Sequence, residues 1–293
     1  MSLLQEYKSS LKKIEVEEIF DLYFYRSFAF LLVKGIYNTS ITPNQLTVIS
    51  MIFGVLGGIC YSFGSHKAIM AGAILYLLYD VFDCSDGQLA RLKKNGTAVG
   101  RILDGLSDYV VSIALYIGIG FGFANNSSNP FMMWMLAIAA AVSNAAQSGL
   151  LDFYRTRYLD YVSNDVSVLD EGLKIFAEEF ERLKNIKGRY VDKAVIWIYL
   201  KYCAFQQRVT NTKHGQEKLR PQISAQEYSK HNRILIRLWT FLGPTTQWTF
   251  LIITSFLNRI DIYLLGIVII GNILAIILYF IQHKIDVTLK LKS

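Results

Sequence analysis

Six long apolar runs, at about residues 45–63, 68–82, 106–124, 131–151, 234–257 and 262–281, constrain this chain more than any other feature. Most of them reach or approach the roughly 20 residues that a helix needs to cross a bilayer. Helices are the expected form, because a segment in hydrocarbon must satisfy its own backbone hydrogen bonds. Hydrophobic residues make up 53% of the 293, and the mean hydropathy is +0.31, outside the range of most soluble domains. The reading is an all-α polytopic membrane protein with six transmembrane helices. An even number of spans leaves both termini on one side. The three connections opposite them hold only Lys67 and Arg259 of the 30 basic residues, so the termini are expected in the cytosol. The expected location is the cell membrane, multi-pass.

Within this frame, Asp83, Asp86, Asp104 and Asp108 stand at the facing ends of the second and third runs. A lone carboxylate at membrane depth costs several kcal/mol, so acidic residues there face a polar cavity or hold a cation. Residues three or four apart share one side of a helix. Asp83, Asp86 and Ala90 therefore form one face, and Gly100, Asp104 and Asp108 another. Only a polar turn around Asn95, Gly96 and Thr97 separates them, so the helices should run antiparallel with the carboxylates converging. An all-oxygen set suits Mg²⁺ or Mn²⁺, and two ions bridged by shared carboxylates fit the count. Gly87, Ala90 and Gly100 leave the facing surfaces bare, and Arg91 is placed to hold a phosphate oxygen. Small, acidic and basic residues together point to a metal-bound pyrophosphate.

Asp83, Asp86, Gly87, Ala90, Arg91, Gly100, Asp104 and Asp108 match, without substitution, the signature of the CDP-alcohol phosphotransferase family. The motif covers 26 residues, and the apolar runs resemble the family's six-helix membrane domain. The resemblance implies an enzyme of phospholipid biosynthesis that displaces CMP from a CDP-linked donor. It also implies metal ligation by Asp83, Asp86, Asp104 and Asp108, with Asp108 as general base. Nucleotide contacts would come from Asp83, Gly87, Ala90 and Arg91, and from Asn44, of the Pro-Asn element at residues 43 and 44, and Thr47, the threonine after it; capping of the helix that starts there is the alternative for these two. The motif looks more like prokaryotic phosphatidyltransferases than the choline and ethanolamine branch. The expected partners are then CDP-diacylglycerol, a polar alcohol such as inositol or inositol phosphate, the lipid bilayer and a second copy of the chain, with no nucleic acid. Transfer of a CDP-linked headgroup to a lipid alcohol is the alternative, and a cation-coupled transporter is an alternative of another class.

The remaining segments divide at residues 43 and 158. Residues 1–43 form a cytosolic N-terminal region. Its first 25 residues carry Glu6, Lys8, Lys12, Lys13, Glu15, Glu17 and Glu18 and contain no apolar core for a secretory signal. Residues 19–37, interrupted by Asp21, Arg26 and Lys34, read as an amphipathic interfacial helix, with a short span as the alternative. The membrane domain, 44–293, contains a cytosolic helical insertion at 158–232. There Leu169, Leu173, Phe176, Phe180 and Leu183 form one apolar stripe, and Val191, Val195, Ile198 and Tyr202 another. A hairpin packed on the bundle end is one reading, and a cover over the site mouth the other. Arg155, Arg157, Arg208 and Arg237 are candidates for an acceptor or lipid phosphate. Cys60, Cys84 and Cys203 lack metal-type spacing and read as reduced and incidental. Gly54, Gly57, Gly58, Gly118, Gly120 and Gly122 are expected to allow close helix packing.

Overall fold

The computed structural model describes residues 3–11, 14–162, 176–178, 180–184, 188, 193, 196, 197, 200, 201 and 224–289. Every regular element among them is helical. They include α1 (Leu3–Ser10), a 3-10 turn (Ile14–Val16), a π turn (Asp21–Tyr25), α2 (Arg26–Ile36), α3 (Pro43–Ser62), α4 (His66–Lys93), α5 (Ala98–Asn125), α6 (Pro130–Val162), α7 (Ala225–Trp239), α8 (Pro244–Phe256), α9 (Ile260–Leu265) and α10 (Asn272–Thr288). A wider π turn, Gly266–Gly271, joins α9 to α10 as one rod. Five of these helices, counting that rod as one, are long and apolar enough to cross a membrane: Pro43–Ser62, His66–Lys93, Val99–Asn125, Pro130–Val162 and Ile260–Thr288.

The fifth expected span, 234–257, is not one helix. The chain tightens into a 3-10 turn at Thr240–Leu242, and Gly243 is extended before Pro244 opens α8. Proline is favoured at a first helical position and cannot continue a helix that precedes it, which explains the break. The Glu18 carboxylate fills the notch. Its Oε2 accepts from the Thr246 N–H at 2.8 Å and from Thr246 Oγ1 at 2.9 Å, so an acidic group sits at the positive end of α8. A β-carbon on Gly243 would overlap that carboxylate. From there α8 runs the depth of the bundle, about 20 Å for its 13 residues, to Ser255, which bonds Tyr61 near the end of α3 at 2.6 Å.

Local chemistry sets the ends of the motif helices. Thr42 caps α3 in a reciprocal box with Gln45, Ser65 caps α4 and Thr97 caps α5. Between α4 and α5, Lys94 adopts left-handed backbone (φ 52°) and returns its N–H to the Ala90 carbonyl, which reverses the chain within four residues. Glycines draw α3 against α4 and α5. A β-carbon on Gly118 would fall on the Gly58 carbonyl, one on Gly58 would meet the Ala114 backbone, and one on Gly57 would strike the Tyr76 ring. The core beneath the motif is aromatic, with Tyr61, Tyr76, Tyr79, Tyr116, Trp248 and Tyr263 all buried. Large side chains such as Ile52, Ile59, Phe121, Ile270, Ile273 and Phe280 face outward, as expected where lipid is the solvent.

Residues 19–37 are two-sided, with the charged side turned inward. Asp21, Tyr25, Arg26, Ala29 and Val33 are buried against the bundle, while Tyr23 (81% exposed), Phe24, Phe28 and Leu31 point out. The 11 residues of α2 are too short to span. Of the insertion, Phe176, Leu183 and Ile196 pack with Phe180 and Leu200 on Val99 and Ile102, at the start of α5. Leu169, Leu173, Val191, Val195, Ile198, Tyr202, Cys203 and Arg208 lie outside the described residues.

Candidate active site

The reversal at Lys94 brings the two acidic faces together. Asp83 and Asp86 of α4 and Asp104 of α5 each present an oxygen within 4.8 Å of the others. Asp86 is buried and receives a short hydrogen bond from Thr47 Oγ1 of α3, so three helices orient this group. Asp83 Oδ1 is buried without a hydrogen-bond partner. An unmatched buried carboxylate oxygen among other carboxylates leaves a charge excess that a hard cation satisfies, so the residues fit Mg²⁺ or Mn²⁺. Asp108 lies one turn beyond Asp104, is exposed, and acts electrostatically on Asp83 and Asp86. Its Oδ1 accepts a 2.7 Å hydrogen bond from the buried Tyr79 hydroxyl of α4, which fixes the carboxylate's rotation.

The small residues of the motif have concrete neighbours. A β-carbon on Gly100 would overlap Asn44 Oδ1 and crowd the Thr97 cap, so a glycine here lets the α3 start approach α5. A β-carbon on Gly87 would lie 3.4 Å from both terminal nitrogens of Arg91, and Ala90 is in reach of the turn at Gly96. Arg91 Nε donates to the Ser10 carbonyl at 2.5 Å, so the N-terminal arm rests on the motif arginine.

The three candidate acceptor arginines among the described residues do not converge. Arg157 pairs with Asp286 at 2.7 Å, and Arg237 donates to the carbonyls of Glu17 and Ile14 at 2.8 and 2.7 Å. These contacts tie α6 to α10 and α7 to the N-terminal arm. Arg155 is different: its Nε is buried with no hydrogen-bond partner, and it acts electrostatically on Glu18. Burial, with the Asp21 carboxylate nearby, pushes the Glu18 carboxyl up to about 8.

Sequence reasoning missed a second group one turn before the motif. Asp80 and Cys84 of α4 meet Asp21 of the N-terminal arm, each with a ligand atom within 4.8 Å of the others. The visible signal was Asp80 itself, three residues before Asp83 and so on the motif's face.

Comparison with known proteins bears on the motif region. Residues 40–174 match the profile of the family described as CDP-alcohol phosphatidyltransferase. That stretch is similar to a CDP-alcohol phosphatidyltransferase domain. It holds α3, α4, α5 and α6, hence all four motif aspartates. The chain is similar to the phosphatidylinositol phosphate synthase of Corynebacterium glutamicum, at 26% identity over 126 residues, 43% of this chain and 55% of that one. It is 28% identical over 88 residues to the protein of the same name from Mycobacterium tuberculosis, 30% of this chain and 40% of that one. The archaetidylinositol phosphate synthase of Pyrococcus horikoshii is 34% identical over 89 residues, 30% of this chain and 46% of that one. The chain thus spans about half the length of these relatives.

Proposed function

We propose that this protein makes phospholipid by moving the phosphatidyl group of CDP-diacylglycerol onto a hydroxyl of a polar alcohol, with release of CMP. Inositol phosphate is the favoured acceptor. The observation that carries the reading is the convergence of Asp83, Asp86 and Asp104 beside the exposed, Tyr79-anchored Asp108. The relatives' names, each an inositol phosphate lipid synthase, support the acceptor class. The bias of basic residues supports an active site and termini on the cytosolic side, where nucleotides are available.

Asp83, Asp86 and Asp104, with Asp108 in reach, would hold Mg²⁺ or Mn²⁺, which supplies neutralisation of charge on the pyrophosphate and on departing CMP. Asp108 takes the proton of the attacking hydroxyl. The hydroxyl oxygen forms its bond to the phosphatidyl phosphorus while the bond from that phosphorus to the CMP oxygen breaks, and CMP leaves with the electron pair. Thr47 holds Asp86 in register, and Gly87, Ala90 and Gly100 keep the nucleotide path clear of side chains. Arg91 exchanges the Ser10 carbonyl for a donor phosphate oxygen, and Asn44, beside Gly100, faces the same path. Arg155, with its unmatched Nε, is the arginine best placed for an acceptor phosphate; Arg157 and Arg237 serve packing.

The test is CMP release by purified protein supplied with CDP-diacylglycerol, Mn²⁺ or Mg²⁺ and a panel of alcohols. Asp108→Asn should keep Mn²⁺ and CDP binding and lose about 100-fold or more in turnover. Undiminished turnover in that variant would remove the base, and no CMP release by the parent with any acceptor would remove the reading.

A further inference from the structure

The group formed by Asp80 with the N-terminal arm is built from groups of both polarities that lack partners. Asp80 is 3% exposed, and its Oδ2 has no hydrogen-bond partner. Arg26 is 5% exposed; it commits Nη2 to Glu17 at 2.9 Å and leaves Nε and Nη1 unmatched. Cys84 Sγ donates to Asp21 Oδ1 at 3.4 Å, which brings the arm's carboxylate against α4. Arg26 follows Asp21 by five residues across the wide π turn Asp21–Tyr25, and its carbonyl accepts from Gln88 Nε2 of α4 at 3.0 Å, so the arginine lies against the same stretch of α4 as Asp80 and Cys84. Buried polar groups are nearly always paired, and an unmatched one costs about 1–3 kcal/mol, so three unmatched atoms in one buried neighbourhood call for a missing partner.

Their chemistry selects that partner. A cation would satisfy the carboxylates but would be repelled by the Arg26 guanidinium. An anion would satisfy Arg26 and be repelled by Asp21 and Asp80. A hydroxyl both donates and accepts. The group also adjoins the reaction centre: Asp80 is one helical turn before Asp83 and acts electrostatically with Asp108. We propose that Asp80, Arg26 and Asp21 form a hydroxyl-reading subsite that holds a polyol ring of the acceptor and selects polyhydroxylated phosphates over simpler ones. This rests on the transferase reading above. Asp80 accepts from one ring hydroxyl and Arg26 donates to a neighbouring one, which leaves a further hydroxyl directed to Asp108.

Two measurements test it. The first is the ratio of kcat/KM for inositol 1-phosphate over glycerol 3-phosphate, which both carry a phosphate although only one carries ring hydroxyls. Asp80→Asn should lower that ratio about tenfold, through the acceptor KM, while the KM for CDP-diacylglycerol stays within twofold; a tenfold change corresponds to about 1.4 kcal/mol, one good hydrogen bond to a charged group. The second is equilibrium binding of tritiated inositol 1-phosphate to full-length protein in detergent, which needs no turnover and should weaken similarly in Asp80→Asn. Monodisperse elution and an unchanged melting temperature mark a folded variant, and Asp80→Ser is the substitute if they are lost. A parent-like acceptor ratio and parent-like inositol 1-phosphate binding would overturn the inference. So would loss of one equivalent of tightly bound metal in Cys84→Ser, which would make the group a cation site. A parent that releases no CMP with any acceptor would instead overturn the transferase reading, while the binding arm would still decide the subsite.

Discussion

Two acidic groups share α4 and differ in how they are assembled. The motif group takes Asp83 and Asp86 from α4 and Asp104 from the helix that follows after a four-residue reversal. The arm group takes Asp80 and Cys84 from α4 and Asp21 from a segment about sixty residues earlier, with Arg26 beside it. The first is all oxygen, three carboxylates of which one has an unmatched oxygen, and it suits a cation. The second mixes donors and acceptors and suits neutral hydroxyls. One helix thus presents two chemistries, separated by a single turn.

Five experiments would break or sharpen that contrast. The largest effect is expected for Asp104→Asn, which should lower turnover at least about 1000-fold with every acceptor and remove stoichiometric Mn²⁺ binding, followed by electron paramagnetic resonance. Retained Mn²⁺ stoichiometry would break the assignment of α5 to the metal. Chelation of the parent should abolish CMP release, and added Mn²⁺ should restore it. Thr47→Val removes the hydrogen bond to Asp86 but no ligand, so the Mn²⁺ concentration for half-maximal activity should rise about tenfold, as for the loss of an outer partner of a metal ligand.

A smaller effect belongs to Glu18, which borders the arm group. Its folded pKa of about 8 lies above the unfolded carboxylate value, so the folded state binds the extra proton between about pH 4.5 and 8. Its contribution to stability is therefore full below that window and is lost as pH rises through it. Glu18→Gln should flatten the pH dependence of the melting temperature over this range and raise it near pH 8; an unchanged slope would show that Glu18 is ionised throughout. Cys84→Ser should change least, within about twofold in turnover, because the thiol donates one long hydrogen bond and its replacement can donate too.

The legibility of the two groups follows from chain geometry. Asp83, Asp86, Gly100, Asp104 and Asp108 repeat at helical spacing on either side of a turn with Asn95, Gly96 and Thr97, so periodicity alone brings them face to face. Asp21 and Arg26 reach α4 only because the N-terminal arm folds back along it, and no local pattern encodes that return. Residues 234–257 illustrate another limit. Averaged hydropathy reads through Gly243 and Pro244, although this pair marks the break and Glu18, which fills it, comes from the other end of the sequence. Among the arginines, the excess of positive charge was visible, but only their partners distinguish Arg157, bound to Asp286, from Arg155.

The contact of Gly58 with Gly118 has a reach beyond packing. With backbone against backbone, α5 has no side-chain cushion on which to slide or roll along α3. About 15 Å further up the same rod stand Asp108 and, one turn on, Asp104. A slip of one residue at the glycines would swing those carboxylates by roughly 100° around the axis, out of line with Asp83 and Asp86. Two residues without side chains thus act as the detent that keeps the reacting end of the helix clocked, and a bulky replacement at Gly118 would silence chemistry it never touches.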